Sequence, residues 1–286
     1  VASKYSCVVD VSAPNTSHSI AVRMLGANQR VLELGAAAGD VTRVLVERGC
    51  DVTAVEYDPD NRADLEAVAQ QVIIGDLNDP DLLDSLTGQF DAVLAGDVLE
   101  HLIDPDAVLR RVARLLAPGG QVVISLPNIA HIDVRLSLLQ GRFDYRPTGL
   151  LDRTHLRFFT RKTVDELVDG AGLTIIEMRK VRVPAFYTEF QVDRNSVPQS
   201  LVEEILKDPD AETYQFVFTA VRKNGDLSTQ QLAQRYTELL ENYDRLIEQH
   251  ALAQHKLALL EASGILRYTA KPRRVYHRLR DAVSGK

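Results

Sequence analysis

The sequence has no tryptophan and only two cysteines, Cys7 and Cys50. The cysteines stand far apart, and neither has a His or Cys partner at zinc-ligand spacing, which argues against a disulfide framework or a structural zinc site. No apolar run approaches the ~18 residues that a spanning helix needs, and the first residues lack the basic and apolar regions of a signal peptide. The expectation is a soluble, cytoplasmic protein. Positive charge is also in short supply: 33 Lys and Arg against 40 Asp and Glu give a net charge of −7. Broad affinity for nucleic acid, which depends on counterion release at a basic surface, is therefore not expected.

What the chain does have is alternation. Val-, Ile- and Leu-rich segments at Arg30 to Leu34, Asp51 to Glu56, Gln71 to Ile74, Phe90 to Ala95 and Gln121 to Leu126 are each followed by helical stretches. Such segments fit strands buried on both faces, and their alternation with helices predicts a doubly wound α/β fold with a mostly parallel sheet. A helix near Thr163 to Ala171, a strand near Thr174 to Val181, a short helix around Leu201 to Lys207 and a last, antiparallel strand at Thr213 to Val221 complete a domain over residues 1–225. Within it, the polar and aromatic stretch 127–161 is too long for a turn and reads as a substrate lid or insertion.

Beyond Asn224-Gly225 the pattern changes. Leu232, Tyr236, Leu239, Tyr243, Leu246, His250, Ala253, Leu257 and Leu260 fall at alternating spacings of four and three, the seam of a coiled coil. Residues 226–286 are thus expected to form a helical extension that joins two copies in a homodimer, the alternative being a single amphipathic helix packed on its own domain. Its end carries Arg267, Lys271, Arg273, Arg274, Arg278, Arg280 and Lys286, a tail suited to an anionic membrane surface or a partner protein, or simply solvated.

The chemistry is expected at the strand ends. Glu33-Leu34-Gly35-Ala36-Ala37-Ala38-Gly39-Asp40 is a small-residue turn into a helix, which lets a ligand approach the backbone. A dinucleotide fingerprint would need a third glycine where Asp40 stands, and that charge would repel a pyrophosphate. A sulfonium cofactor carries no phosphate to repel. Glu56 closes the second strand, about twenty residues after the turn, where a carboxylate can accept ribose hydroxyls. Asp76 follows the third strand, placed to receive an adenine amino group, and Asp97 follows the fourth.

VLELGAAAGD, the Glu56 strand end, IIGDLND, FDAVLAGDVLEHLIDP and LLAPGGQVVISLPN, in this order, resemble the successive motifs of class I S-adenosylmethionine-dependent methyltransferases, over roughly residues 15 to 221. Ala37 departs from the family by replacing the usual middle glycine. The resemblance implies that Glu33, Gly35 and Gly39 line the methionine end of the cofactor, Glu56 holds its ribose, Asp76 and Leu77 hold its adenine, and Asp97 lies near the methyl group. Glu100-His101 resembles the ubiquinone-biosynthesis type; His101 is read mainly as a helix-entry or packing residue.

Transfer to an alcohol needs a general base. The insertion offers His155, with Asp152 three residues earlier to orient it, and His131 as runner-up. Its density of Arg135, Arg142, Tyr145, Arg146, Arg153 and Arg157 suits a hydroxylated or anionic acceptor, and the segment resembles bacterial sugar and polysaccharide O-methyltransferases. Transfer to a sugar or glycan hydroxyl is therefore the first expectation; the alternatives are a small-molecule methyltransferase acting on a phenol, quinone or carboxylate, and a non-catalytic scaffold. Asp97, Asp152 and the two histidines are also groups that a divalent metal uses, and spacing alone leaves metal dependence open.

If the heptad seam joins two copies, a chain ending at Gly225 will scatter light as a monomer while the full chain scatters as a dimer. The same oligomeric state for both would leave the helix as an intramolecular arm or a docking site for another protein.

Overall fold

The computed structural model describes residues 9–223, together with Leu246 and Gln254. The chain divides into two compact units, residues 1–237 and 238–286. Of the second, Leu246 and Gln254 are described and both are helical. The heptad seam, the dimer and the basic tail otherwise lie outside the described residues.

The first unit runs α1 (Ser17–Leu25), β1 (Arg30–Leu34), α2 (Asp40–Glu47), β2 (Asp51–Glu56), α3 (Arg62–Glu66), β3 (Gln71–Ile74), α4 (Pro80–Asp84), β4 (Phe90–Gly96), α5 (Pro105–Leu115), β5 (Leu116–Pro127), α6 (Ile132–Leu139), α7 (Arg161–Gly170), β6 (Leu173–Arg182), α8 (Gln199–Ile205) and β7 (Thr213–Arg222). The five parallel strands fall where their apolar runs predict. β1, β2, β4 and β5 are mostly buried because helices cover both faces of the sheet, so nearly every position there must be apolar, whereas β3 lies at the edge and is partly exposed.

The sheet order is β3-β2-β1-β4-β5-β7-β6. β1 to β5 pair in parallel, and β7 pairs antiparallel with both β5 and β6. After β1 the chain winds outward through β2 and β3, then returns to the other side of β1 as β4. The connections diverge there, and the carboxyl ends of β1 and β4 border a crevice. Register fixes the crevice walls: Leu34 lies beside Val55 and Ala95, so the turns after β1, β2 and β4 reach the same level.

Two layers of core hold this frame. One face packs Leu99, Leu109, Val112, Val164 and Leu167 against Leu32, Val93, Ile124, Phe216 and Phe218; the other packs Ile20, Val22, Leu25 and Leu45 against Val31, Val52, Leu94 and Val123. Helix ends are closed by local donors. Thr16 caps α1 by accepting from the Ser19 N–H, and Thr160 and Thr163 form a reciprocal capping box at α7. Helix α5 stops at Leu115, and Pro118-Gly119-Gly120 lies within β5. A Cβ at Gly120 would stand 2.9 Å from the Phe90 carbonyl oxygen, so glycine lets the two backbones meet.

Segment 127–161 differs from the polar lid its composition suggests. Ile132, Val134, Leu136, Leu150 and Leu151 are buried with Ala185, Phe190, Val192 and Val202 in a separate apolar cluster. The insertion and the β6–β7 connection therefore build one subdomain above the sheet. Its apolar halves are about fifty residues apart, so neither half reads as core in isolation.

Phe218 is fully buried in the middle of β7, between β5 and β6. Phe218→Ala should cost about 3–5 kcal/mol, read from the urea midpoint at unchanged slope.

Candidate active site

A cavity of about 820 Å³ opens at the carboxyl ends of β1, β2, β3 and β4. Glu33, Gly35, Glu56, Asp76, Leu77 and Asp97 all line it, from strand ends separated by up to 64 positions. Gly39 does not; it caps α2 in a left-handed conformation (φ 82°), and a Cβ there would press on Val68 and Leu65 at 3.1 and 3.2 Å. Its smallness serves helix packing.

The turn after β1 is shaped by three left-handed residues, Gly35 (φ 68°), Ala37 (φ 48°) and Gly39. Gly35 has a second reason to be glycine, since a Cβ would lie 2.5 Å from Val98 Cγ2. Ala37 adopts this conformation at a cost of about 1 kcal/mol. Glu56 holds it there: its Oε2 accepts the Ala37 N–H at 2.8 Å, and its Oε1 accepts the Asp58 N–H at 2.9 Å. A carboxylate has about four acceptor positions, so these bonds leave capacity for the hydroxyls of a ribose. Asp76 is anchored through Oδ1 by the Asn78 N–H and side-chain amide, at 2.8 and 2.9 Å.

Glu33 sits beneath the turn, 3% exposed, and accepts the Thr42 hydroxyl at 2.6 Å. Burial pushes its carboxyl up to about 7, with the charge of Glu56 adding to the rise and the Thr42 bond opposing it. The lining further includes Asp40, Asp58, Asp60 and Asp64 and, among the described residues, no lysine or arginine. Such a cavity suits a ligand with positive charge and opposes phosphate.

Asp97 follows β4 with φ 55°. Oδ1 accepts the Ser125 hydroxyl at 2.6 Å and the Gln215 amide at 3.0 Å, and the Ser17 hydroxyl lies 3.4 Å from Oδ2. Behind it, Glu100 is 1% exposed and its Oε2 has no hydrogen-bond partner. Burial, then the charges of Asp97 and Asp152, hold the Glu100 carboxyl well above the carboxylate range.

The histidines are arranged differently from the sequence expectation. His131 is fully buried and absent from the cavity wall; its Nδ1 caps α6 by accepting the Asp133 N–H, and its Nε2 lies 2.8 Å from the Val183 carbonyl. Both ring nitrogens are thus engaged in holding the subdomain, which is not the geometry of a base. His155 is half-buried, with Nδ1 3.3 Å from the Leu150 carbonyl. Burial first, and the neighbouring His101 second, lower its basicity. Asp152 binds the Thr154 N–H and hydroxyl at 2.9 and 2.7 Å, and it is the Leu150 carbonyl that orients the His155 ring. The cavity wall carries His18 and His101; His101 has its Nδ1 3.2 Å from the Thr154 carbonyl and its ring edge-on to His155 at 4.9 Å.

Donor atoms of Glu100, His101 and His155 lie within 4.8 Å of one another. The set offers two imidazoles and a carboxylate, and carbonyls at both Nδ1 atoms favour the tautomer with the lone pair on Nε2. It fits a divalent cation. Asp152 is not part of it. His18 and Thr154 on the wall, and Gln215 beside Asp97, were not apparent in the sequence, because they come from a helix before β1, the subdomain and the last strand.

The arginines of the insertion also have other work. Arg135 pairs with Asp208, Arg142 donates to Gln140, Arg157 donates to the Ile103 carbonyl and Arg146 lies over the Phe190 ring. None lines the cavity.

A methyltransferase-domain family matches residues 17–178, more than half of the chain. The protein belongs to this family. It is a class I S-adenosylmethionine-dependent methyltransferase. The ubiquinone biosynthesis O-methyltransferase of Aeromonas salmonicida is 27% identical over 183 residues, 62% of this chain and 76% of the relative. The enzyme of the same name from Psychrobacter arcticus is 30% identical over 169 residues, 56% of this chain and 65% of the relative. An S-adenosylmethionine-dependent methyltransferase from Archaeoglobus fulgidus shares the fold at a TM-score of 0.51 and 19% identity, covering 72% of this chain and 94% of that one. Among the described residues no helix is long and apolar enough to cross a membrane.

Because the folded state holds a proton on Glu33 up to about 7 while the unfolded chain loses it near 4.5, the ligand-free methyltransferase should lose stability as pH rises from 4.5 to 7. Glu33→Gln removes this contribution, so its melting temperature should decline less over that window than the wild type's. Parallel declines would show that Glu33 ionises normally.

Proposed function

We propose that this methyltransferase transfers its methyl group to the hydroxyl of a small aromatic acceptor of the phenol class. The observation that carries the reading is the aromatic path at the His101 corner. From His101 the rings of His155, Phe158, Phe143 and Tyr145 follow at centroid spacings of 4.9, 6.3, 5.9 and 5.5 Å, each edge-on to the next. Ile103, Leu138, Leu139 and Leu156 expose apolar surface on the same segments. Edge-on rings favour a planar aromatic guest. A glycan acceptor would call for forks and carboxylates free to reach its hydroxyls, whereas Arg135 is paired with Asp208 and none of the insertion's arginines lines the cavity. The relatives, ubiquinone biosynthesis O-methyltransferases by name, also lie on the small-molecule side.

In this reading the acidic cavity draws in the sulfonium cofactor, and alignment of acceptor oxygen, methyl carbon and sulfur supplies much of the rate. The acceptor proton goes to Nε2 of His101. The Thr154 carbonyl only accepts, so it keeps the other proton of this imidazole on Nδ1. His155, the base first expected from the sequence, supports His101 from behind. A second reading rests on the partnerless Glu100 Oε2: Glu100, His101 and His155 would hold a divalent cation. Such a cation would lower the pKa of a hydroxyl bound to it, so that the proton leaves more readily.

Labelled-methyl assays with catechol and hydroxybenzoate, against monosaccharide and nucleotide-sugar acceptors, test the class; label confined to the sugars would overturn it. With an active phenol, His101→Ala should lower turnover by about 10² to 10⁴. Insensitivity to a chelator supports proton transfer alone, whereas loss on chelation and recovery with a divalent salt supports the metal.

A further inference from the structure

Asp97 is held more firmly than a residue that merely lines a cavity needs to be. Its backbone occupies the left-handed region at φ 55°, which Asp tolerates better than most side chains and which local hydrogen bonds hold here. The clamp is visible. The Ser125 hydroxyl accepts the Asp97 N–H at 3.0 Å and donates to Asp97 Oδ1 at 2.6 Å, closing a ring between neighbouring strands β4 and β5. Gln215, on β7, donates its side-chain amide to the same oxygen at 3.0 Å across 118 positions of sequence.

The two carboxylate oxygens are therefore unequal. Oδ1 takes both strong donors; Oδ2 has the Ser17 hydroxyl at 3.4 Å, a long contact. We propose that Gln215 is a positioning residue: with Ser125 it anchors Oδ1 of Asp97 so that Oδ2 faces the charged sulfur of S-adenosylmethionine, and it thereby sets how strongly the site prefers the sulfonium to the neutral thioether left after transfer. The proposal rests on the methyl group being presented at the β4 corner, where the crevice between β1 and β4 opens. Burial works against this arrangement, since Glu100 behind Asp97 is a second carboxyl in a poorly solvated place. Two neutral donors on Oδ1 offset that cost without adding a counter-charge that would cancel the attraction for the sulfonium. A lysine or arginine at position 215 would fix the carboxylate equally well and neutralise it; glutamine fixes it and leaves its charge.

β7 is suited to the task. It lies between β5 and β6 and is bonded on both edges, so the Gln215 backbone cannot drift. Its antiparallel direction brings residue 215, near its start, to the carboxyl end of β5, opposite Pro127 and two places from Ser125.

The experiment is calorimetry of the full chain with S-adenosylmethionine and S-adenosylhomocysteine, on wild type, Gln215→Met, Asp97→Asn and the double variant. A unit charge about 4 Å away is worth a few kcal/mol at the effective dielectric of a protein site, so losing its alignment should weaken sulfonium binding by about tenfold. Gln215→Met should show that loss for S-adenosylmethionine, with S-adenosylhomocysteine affinity and melting temperature close to wild type. In the Asp97→Asn background Gln215→Met should change nothing further, because the group it positions no longer carries charge. If Asp97→Asn leaves the preference for the sulfonium intact, the β4 corner is not where the sulfur lies. If Asp97→Asn abolishes the preference but Gln215→Met keeps it, or if Gln215→Met weakens both ligands equally, the positioning role is overturned while the corner stands.

Discussion

The contact on which this site depends is the seat of Val98 against Gly35. It joins the turn after β1 to the turn after β4 at the point where the chain reverses its winding, and no side chain larger than hydrogen fits beneath it. With the two turns locked together, left-handed backbone at positions 35, 37, 39 and 97 becomes a single shaped rim. Glu56 then ties the β2 end to that rim through the Ala37 N–H, and Ser125 ties the β5 end to it through Asp97. The parallel sheet supplies level strand ends; this contact and these two ties turn them into a binding surface.

Electrostatics follow from the same layout. Strand ends that converge bring their carboxylates together, and burial makes the convergence costly. The cost falls on Glu33 and Glu100, which keep their protons to higher pH than exposed carboxylates do, while Glu56 and Asp97 are furnished with donors. A cation entering the cavity relieves the crowding. The acidic lining is thus better understood as a half-built ion pair than as a polar surface.

The frame was legible in the sequence because strands covered on both faces leave continuous apolar runs, and because Gly, Glu and Asp at their ends keep fixed spacings from the runs. The surroundings of the histidines were not. The Thr154 carbonyl that orients His101 lies 53 positions away in sequence. His131 drew attention as a histidine in a polar insertion, yet His-x-Asp at a helix start is also the pattern of a capping side chain, and that is its place. The arginines looked available for a substrate since their partners, Asp208 and several carbonyls, carry no mark in sequence. Gln215 had no signal at all: its relation to Asp97 exists only once β7 slots antiparallel between β5 and β6.

Ala37 carries a methyl group where a glycine turn would have a hydrogen. In the free protein that methyl restricts the backbone states open to the turn, and the Glu56 bond selects the left-handed one among them. The ordering that a glycine turn would undergo when ligand arrives has here been moved to the folding of the protein. Cofactor capture by such a rim is closer to docking on a finished surface than to folding around a guest, and its entropy of binding should reflect the difference.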